Sequence, residues 1–192
     1  VNERRPPRAI VIYSGMFGAT EACAGLVADA LTARLGDSVP CRDASWFDVA
    51  ELAAYDLVVL GAATWNIGQL PYGLGDTLAE LGRLDLTGTA VALFGTGDQV
   101  GYPDTFLDAL GLVAQTVRQA GAELVGSWPT TGYDFLGSRA VEGERFVGLA
   151  LDDDNQPELT AARIAQWVHL VLDEVESISS RERASSTVAV AG

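Results

Sequence analysis

Lysine is absent from this chain of 192 residues, and all twelve of its basic residues are arginine. Against them stand 26 acidic residues, for a net charge of −14. A nucleic-acid partner needs a basic footprint, so none is expected. Without lysine there is also no phosphate-loop NTPase motif, and the three-glycine dinucleotide fingerprint is missing too. ATP hydrolysis and Rossmann-type NAD binding are thereby disfavoured. Histidine occurs once, at His169 on the last helix, with no nucleophile motif near it; it reads as a solvated or packed side chain rather than a general base. Two cysteines, Cys23 and Cys41, are too few for a disulfide framework or a metal cage. Cys23 falls on the apolar face of a helix and reads as a buried thiol. No apolar run approaches the roughly 20 residues of a bilayer span. The basic N-terminus leads into a strand, not a signal-peptide core. A cytoplasmic protein away from membranes, working as a monomer, is expected.

What is present is ordinary globular material, 48% hydrophobic and 20% charged, enough for one domain with a substantial core. Strands alternate with helices, the pattern of a parallel sheet covered on both faces. The expected strands are residues 9–13, 38–42 (with Pro40 suiting an edge), 56–61, 90–94, and a fifth from 123. The fifth breaks off for some twenty residues, 128–144, and resumes at 146–151. The first helix, residues 20–35, places Cys23, Leu26, Val27, Ala30 and Leu31 on one face and stops at Gly36. Others are expected near 72–84, from Asp104 as N-cap to Gly121, and along a stripe of Ile164, Trp167, Val168, Val171, Leu172 and Val175. Five strands, five helices and right-handed crossovers predict a three-layer α/β sandwich with sheet order 2-1-3-4-5 and an insertion in the fifth strand. The domain is expected over residues 9–176, with an N-terminal arm at 1–8 and a disordered tail at 177–192.

In such a sheet the loops after the first, third and fourth strands converge, and ligands bind beyond the strands' carboxyl ends. The first loop, Ser14-Gly15-Met16-Phe17-Gly18-Ala19-Thr20, opens a helix. Its glycines let a phosphate approach exposed N–H groups, and Thr20 adds a hydroxyl. Such turns are common, so this signal is weak alone. The second loop, Thr64-Trp65-Asn66-Ile67-Gly68, offers an indole face and polar groups for the rim of a flat ring; a tryptophan here also suits a sheet-edge cover. The third, Gly95-Thr96-Gly97-Asp98, continues to Tyr102, a second aromatic plane. Asp98 reads equally as a turn former or a helix cap. Phosphate plus flat ring describes a nucleotide, and FMN fits best. The acidic charge suits a face that steers a basic partner, or simple solubility.

Four motifs in order resemble those of long-chain bacterial flavodoxins: Thr64-Trp65-Asn66-Ile67-Gly68; Phe94-Gly95-Thr96-Gly97-Asp98-Gln99-Val100-Gly101-Tyr102; Trp128-Pro129-Thr130-Thr131-Gly132-Tyr133-Asp134-Phe135; and Phe146-Val147-Gly148-Leu149-Ala150-Leu151 with Asp152-Asp153-Asp154-Asn155-Gln156-Pro157. The likeness runs over about residues 9–175, and the interrupted fifth strand matches the insertion of long-chain members. The resemblance implies a flavodoxin-like fold and a small electron carrier with non-covalent FMN, not an enzyme. By motif position Trp65 and Tyr102 flank the ring. The Asn66-Ile67-Gly68 backbone lies by its N5 edge, and Thr96, Gly97 and Asp98 by its pyrimidine side. Thr64 helps hold the phosphate, and Asp154 lies near the ribityl chain. The implied donor is an NADP-dependent ferredoxin/flavodoxin reductase and the acceptor a redox enzyme. No residue acts as acid, base or nucleophile, and no metal is implied.

The phosphate loop departs from the family pattern Thr-x-Thr-Gly-x-Thr, because Gly15 and Phe17 replace two hydroxyl donors. The run also resembles the Ser-Met-aromatic-Gly-x-Thr loops of flavodiiron-type flavodoxin domains. A Thr-Pro pair before the second loop is replaced by Ala62-Ala63. Each lost hydrogen bond to a charged phosphate costs on the order of 1.5–3 kcal/mol, and two would weaken binding by roughly two to four decades. Two other readings follow: a flavodoxin-fold module that holds another planar ligand, and a flavin enzyme reducing quinones with NAD(P)H. Gly15→Thr is expected to tighten FMN binding in a titration of the apoprotein; unchanged or weaker affinity counts against family geometry in this loop.

Overall fold

Short runs rich in valine, isoleucine and leucine cannot face water on either side, and the chain stacks them into one parallel sheet. The computed structural model describes residues 5–14, 18–65, 67–71 and 74–190, with side chains to Arg181. Strand β1 (Ala9–Ser14) pairs with β2 (Cys41–Asp43) on one side and β3 (Leu57–Ala63) on the other. Strand β4 (Ala90–Thr96) follows β3 in register from Leu57↔Ala90 to Ala63↔Thr96. Beyond β4 the fifth position is shared. Strand β5 (Glu123–Val125) pairs with Ala90–Ala92, and β9 (Leu149–Leu151) pairs with Phe94–Thr96. The order is therefore β2-β1-β3-β4-β5, as the alternation predicts, with the insertion splitting the last strand.

Alternate residues feed two cores, because side chains change face at every step. Ile10, Ile12, Val58, Leu60, Val91 and Leu93 pack under helices α2 (Leu74–Leu81) and α3 (Asp108–Gln119). Val11, Val59, Ala92 and Phe94 pack under α1 (Ala19–Leu35) and α4 (Pro157–Val190). The predicted stripe of α4 is buried throughout, and Trp167 is wholly enclosed with its indole N–H donating to the Gly126 carbonyl at 2.6 Å. Gly36 and Gly121 end their helices with φ of 81° and 83°, where a side chain would be strained.

The insertion forms a small antiparallel sheet of β6 (Trp128–Pro129), β7 (Val141–Glu142) and β8 (Arg145–Phe146), in the order β6-β8-β7. Aromatic packing fastens it to the body. Phe106, before α3, lies 5.7–6.0 Å centroid to centroid from Tyr133, Phe135 and Phe146. The Tyr133 hydroxyl donates to the Ala150 carbonyl at 2.6 Å and accepts from the Trp128 indole at 3.1 Å.

Several expectations need correction. Strand β2 starts at Cys41 rather than 38, because Pro40 has no N–H to pair and contributes only its carbonyl, to Val11 N at 2.9 Å. Leu26 is 44% exposed, since the buried face of α1 follows Cys23, Val27 and Leu31 at i, i+4 spacing. Four α-helices are described rather than five, and two 3-10 segments, Ala44–Trp46 and Val49–Ala54, join β2 to β3. Asp104 does not cap α3. It sits exposed in the 3-10 turn Pro103–Thr105, and α3 starts four residues later behind Leu107, the one described non-glycine residue with positive φ (60°). Burial of Phe106 and Leu107 holds that strained entry in place. Finally, residues 177–190 continue α4 instead of leaving regular structure. Ile178 packs on the core, and the hydroxyls of Ser177 and Ser180 donate to carbonyls four residues back. Of the arm's described residues, Arg5 and the Arg8 N–H both reach the Asp56 carboxylate, at 3.0 and 2.7 Å.

A Cβ at Gly148 would collide with the Leu93 carbonyl of β4, which is rigid backbone. Gly148→Ala is expected to destabilise the apoprotein by about 1–3 kcal/mol, read as a lower urea midpoint with an unchanged slope.

Candidate functional site

The carboxyl ends of β1, β3 and β4 release three loops side by side. After β1, helix α1 begins behind Gly18, which has φ 80° and no side chain to cap the first turn. Ala19 and Gly18 are exposed there, whereas Thr20 is buried and shares a 2.8 Å hydrogen bond with the Thr96 hydroxyl at the end of β4. Ser14, the last residue of β1, is buried beside Ala62 of β3. Gly15, Met16 and Phe17 lie outside the described residues, as does Asn66.

Beyond β3, the Thr64 N–H donates to the Thr96 carbonyl at 3.0 Å, extending the strand pairing by one step. The chain then turns back on itself. Trp65 and Gln69 exchange both backbone hydrogen bonds, at 2.9 and 2.8 Å, and Gly68 occupies the tip with φ 75°. Trp65 is half-buried, while Ile67 is 78% exposed. The turn rests on the start of α3: a Cβ at Gly68 would stand 2.7 Å from Asp108 Oδ2, and Thr64 Oγ1 accepts from Ala109 N at 3.4 Å. Asp108 is itself buried, accepts from the Arg139 N–H at 2.7 Å and pairs with the Arg139 guanidinium at 3.4 Å.

Beyond β4, Gly97 bonds to the Leu151 carbonyl of β9 and Asp98 forms a tight turn. Its Oδ1 accepts from Val100 N at 3.0 Å, Gly101 N at 2.7 Å and Asn155 Nδ2 at 2.8 Å. Those bonds, that of Gly101 first, hold the Asp98 carboxyl below the usual carboxylate range. Of the two expectations for Asp98, turn former is the one realised. Tyr102 emerges 48% exposed. Asp154, on the loop after β9, is exposed, and its pKa is raised by desolvation and by the neighbouring carboxylates of Asp98, Asp152 and Asp153. These carboxylates are not arranged as a metal centre: among the described residues no group of three ligating side chains is placed to hold an ion.

The topology thus gathers Ser14, Gly18, Ala19, Thr20, Thr64, Trp65, Ile67, Gly68, Thr96, Gly97, Asp98, Tyr102 and Asp154 along one end of the sheet. A cavity of about 1190 Å³ lies at the other end, lined by Asp56, Ala90 and Glu123 at the strand starts and by Arg34. His169 is also remote. It faces Arg34 across the helix pair, with Nδ1 2.7 Å from the guanidinium. No helix among the described residues is long and apolar enough to cross a membrane.

This frame matches known proteins over most of its length. The family model described as Flavodoxin covers residues 11–167. The flavodoxin of Synechocystis sp. is 43% identical over 159 residues, 82% of this chain and 92% of that protein. The chain belongs to the flavodoxin family. Flavodoxin 1 of Escherichia coli K12 is 38% identical over 161 residues, 83% of this chain and 92% of its own length. Among solved structures, Fusobacterium nucleatum flavodoxin bound to flavin mononucleotide superposes with a TM-score of 0.80 at 25% identity, covering 88% of this chain and 98% of that one. Flavodoxins are electron-transfer proteins, and the split fifth strand is the long-chain form.

Four residues that organise the loops escape a reading of the sequence for ligand contacts: Gln99, Asp108, Asp152 and Asn155. One signal was available, an aspartate directly after a wholly apolar strand with asparagine three residues on, the spacing of a side-chain cap.

The cysteines give a direct test of the burial around the site. Cys23 is enclosed, and burial, then the Asp153 carboxylate, pushes its thiol up to about 12 from an ordinary 9.0. A raised folded-state pKa adds stability that is full below pH 9.0 and is lost as pH rises towards about 12. Cys41 is less enclosed, and its thiol is also raised by burial. Thiol labelling of the native protein at pH 8 is expected to modify Cys41 first and Cys23 only on unfolding.

Proposed function

We propose that the chain holds FMN across the three loops and carries single electrons from an NADP-dependent ferredoxin/flavodoxin reductase to a redox enzyme. The observation that carries the reading is the convergence of an uncapped helix start with two aromatic loops on adjacent central strands. The donor set fits the group. Backbone N–H groups at the start of α1 favour an anion, and the hydroxyls of Ser14, Thr20 and Thr64 supply neutral donors beside it. Trp65, half-buried, and Tyr102, half-exposed, present large flat faces to a ring. Gly68 and Gly97 bring bare backbone to its rim.

When bound, FMN supplies the one-electron chemistry; the residues of this chain bind it, orient it and set its electrostatic surroundings. Asp98 and Asp154 place negative charge beside the site, which opposes added negative charge on a ring held there. Ile67, Val100 and Leu136 add exposed apolar surface around the loops, and Asp104, Asp134 and Asp154 are exposed with them. Such a rim suits a partner with a basic face and an apolar centre. A cytoplasmic carrier agrees with two free thiols.

The visible spectrum of the purified protein, followed by titration of its apo form with FMN and riboflavin, tests the reading. Flavin bands are expected, with FMN bound at least about tenfold more tightly than riboflavin and reduced by NADPH only when a reductase is added. Equal affinity for the two flavins would favour a site in which the phosphate contributes nothing. A protein that ignores both would end the electron-carrier reading, and reduction by NADPH alone would favour a quinone-reducing enzyme.

A further inference from the structure

Asp152 follows the last residue of β9 and is wholly buried. No cation pairs with it among the ion pairs of the described residues. A carboxylate in that position is tolerated only when hydrogen bonds replace the lost water. Its partners are amides. Oδ2 accepts from Gln99 N at 3.1 Å and Gln99 Nε2 at 2.7 Å. Oδ1 accepts from Asn155 N at 3.1 Å and Asn155 Nδ2 at 3.0 Å. Every group aimed at it is a donor, which suits an acceptor-only side chain.

The far ends of those amides are also committed. The Gln99 carbonyl oxygen accepts from Asp134 N at 2.6 Å, in the insertion. The Asn155 amide also donates to Asp98 Oδ1 at 2.8 Å, the same oxygen that receives Val100 and Gly101. One carboxylate therefore joins the turn after β4, the insertion and the loop after β9. Neither amide can flip to present oxygen to Asp152 without breaking a bond elsewhere.

We propose that Asp152 is a positioning residue for the flavin site: through Gln99 and Asn155 it fixes the Asp98–Tyr102 turn in the shape that receives the ring. The inference rests on the FMN reading for its ligand but not for its mechanics. A merely structural Asp152 would change stability alone. A positioning Asp152 changes the turn and the ring subsite while leaving the phosphate loop as it is.

Asp152→Asn keeps one acceptor oxygen and, with that oxygen on the Asn155 donors, turns an N–H₂ group towards Gln99 Nε2. Gln99→Glu in that background supplies the missing acceptor, keeps an oxygen for Asp134 N and restores the net charge. Asn155→Ala removes the exposed relay and leaves the buried carboxylate in place. Full-length apoproteins are titrated with FMN and with riboflavin, and amide hydrogen exchange is followed at Val100, Gly101 and Tyr102 without flavin.

Asp152→Asn is expected to weaken both flavins by the same factor, about 30-fold, and to speed exchange at the three amides. Asn155→Ala should do the same to a smaller degree. The double variant Asp152→Asn/Gln99→Glu should return affinity and exchange to within about threefold of the native values. Native affinity and exchange in Asp152→Asn would overturn the proposal, as would lost affinity that the double variant fails to restore. If Asp152→Asn does not fold, native exchange in Asn155→Ala overturns it and faster exchange supports it. A native chain that binds neither flavin sinks the FMN reading alone, since the exchange comparison still reports whether Asp152 holds the turn.

Discussion

The pairing of β3 with β4 is the constraint from which the rest follows. Seven residues of each run parallel in register, and both faces are sealed by helices. Their interior has no room for a polar side chain, so polar chemistry is displaced to the ends. At the carboxyl end the pairing persists one step further, through Thr64 N–H and the Thr96 carbonyl. That step sets the two aromatic loops side by side. A close glycine contact inside the pair supports it: Gly61 stands against the Phe94 ring, where any Cβ would intrude. An aromatic side chain from one strand thus lies over bare backbone of its neighbour.

Beyond the sheet end, the organisation passes from apolar burial to hydrogen-bonded carboxylates. Asp108 and Asp152 are both buried, and each is held by backbone N–H groups of distant segments. Asp108 joins the Trp65 turn and α3 to the insertion, while Asp152 joins the Asp98 turn to the insertion and to the loop after β9. The insertion is therefore more than an interruption of β5. It supplies a donor to Asp108 through Arg139 N, and through Asp134 N it holds the Gln99 side chain that in turn donates to Asp152. Its aromatic cluster with Phe106 keeps those donors in register. Loops that would otherwise be mobile gain definition because leaving such carboxylates unpaired is costly.

Much of this is legible in the sequence. The runs at Ile10–Ile12, Val58–Leu60 and Val91–Phe94 are apolar on both faces, which only a covered parallel strand explains. The α4 stripe is equally plain, because its period matches a helix resting on one surface. Edges and entries were harder. Asp104 has the chemistry of a cap, yet Phe106 and Leu107 are pulled into the core and delay α3. Leu26 looks like a core residue by type and spacing, but the neighbouring i, i+4 row meets the sheet. Serine-rich composition after Val175 suggests a tail without structure, whereas α4 runs on through it and packs on the core through Ile178. Trp65 and Tyr102 stood out in the sequence because a large aromatic after a buried strand has no core left to fill. Asp152 did not, because its partners are distant in the chain.

Local chemistry along the chain decided which segments are strands and helices, where glycine must end a helix, and which loops carry aromatics and hydroxyls. Those features depend on side-chain period and backbone freedom over a few residues, and both are visible in one dimension. Tertiary packing alone decided that Thr20 meets Thr96, that Gly68 rests on Asp108, and that Gln99 and Asn155 share one carboxylate. Those contacts join residues up to 76 positions apart. Their partners are chosen by strand order and burial, since a polar group sealed from water must bond to whatever the fold has placed beside it.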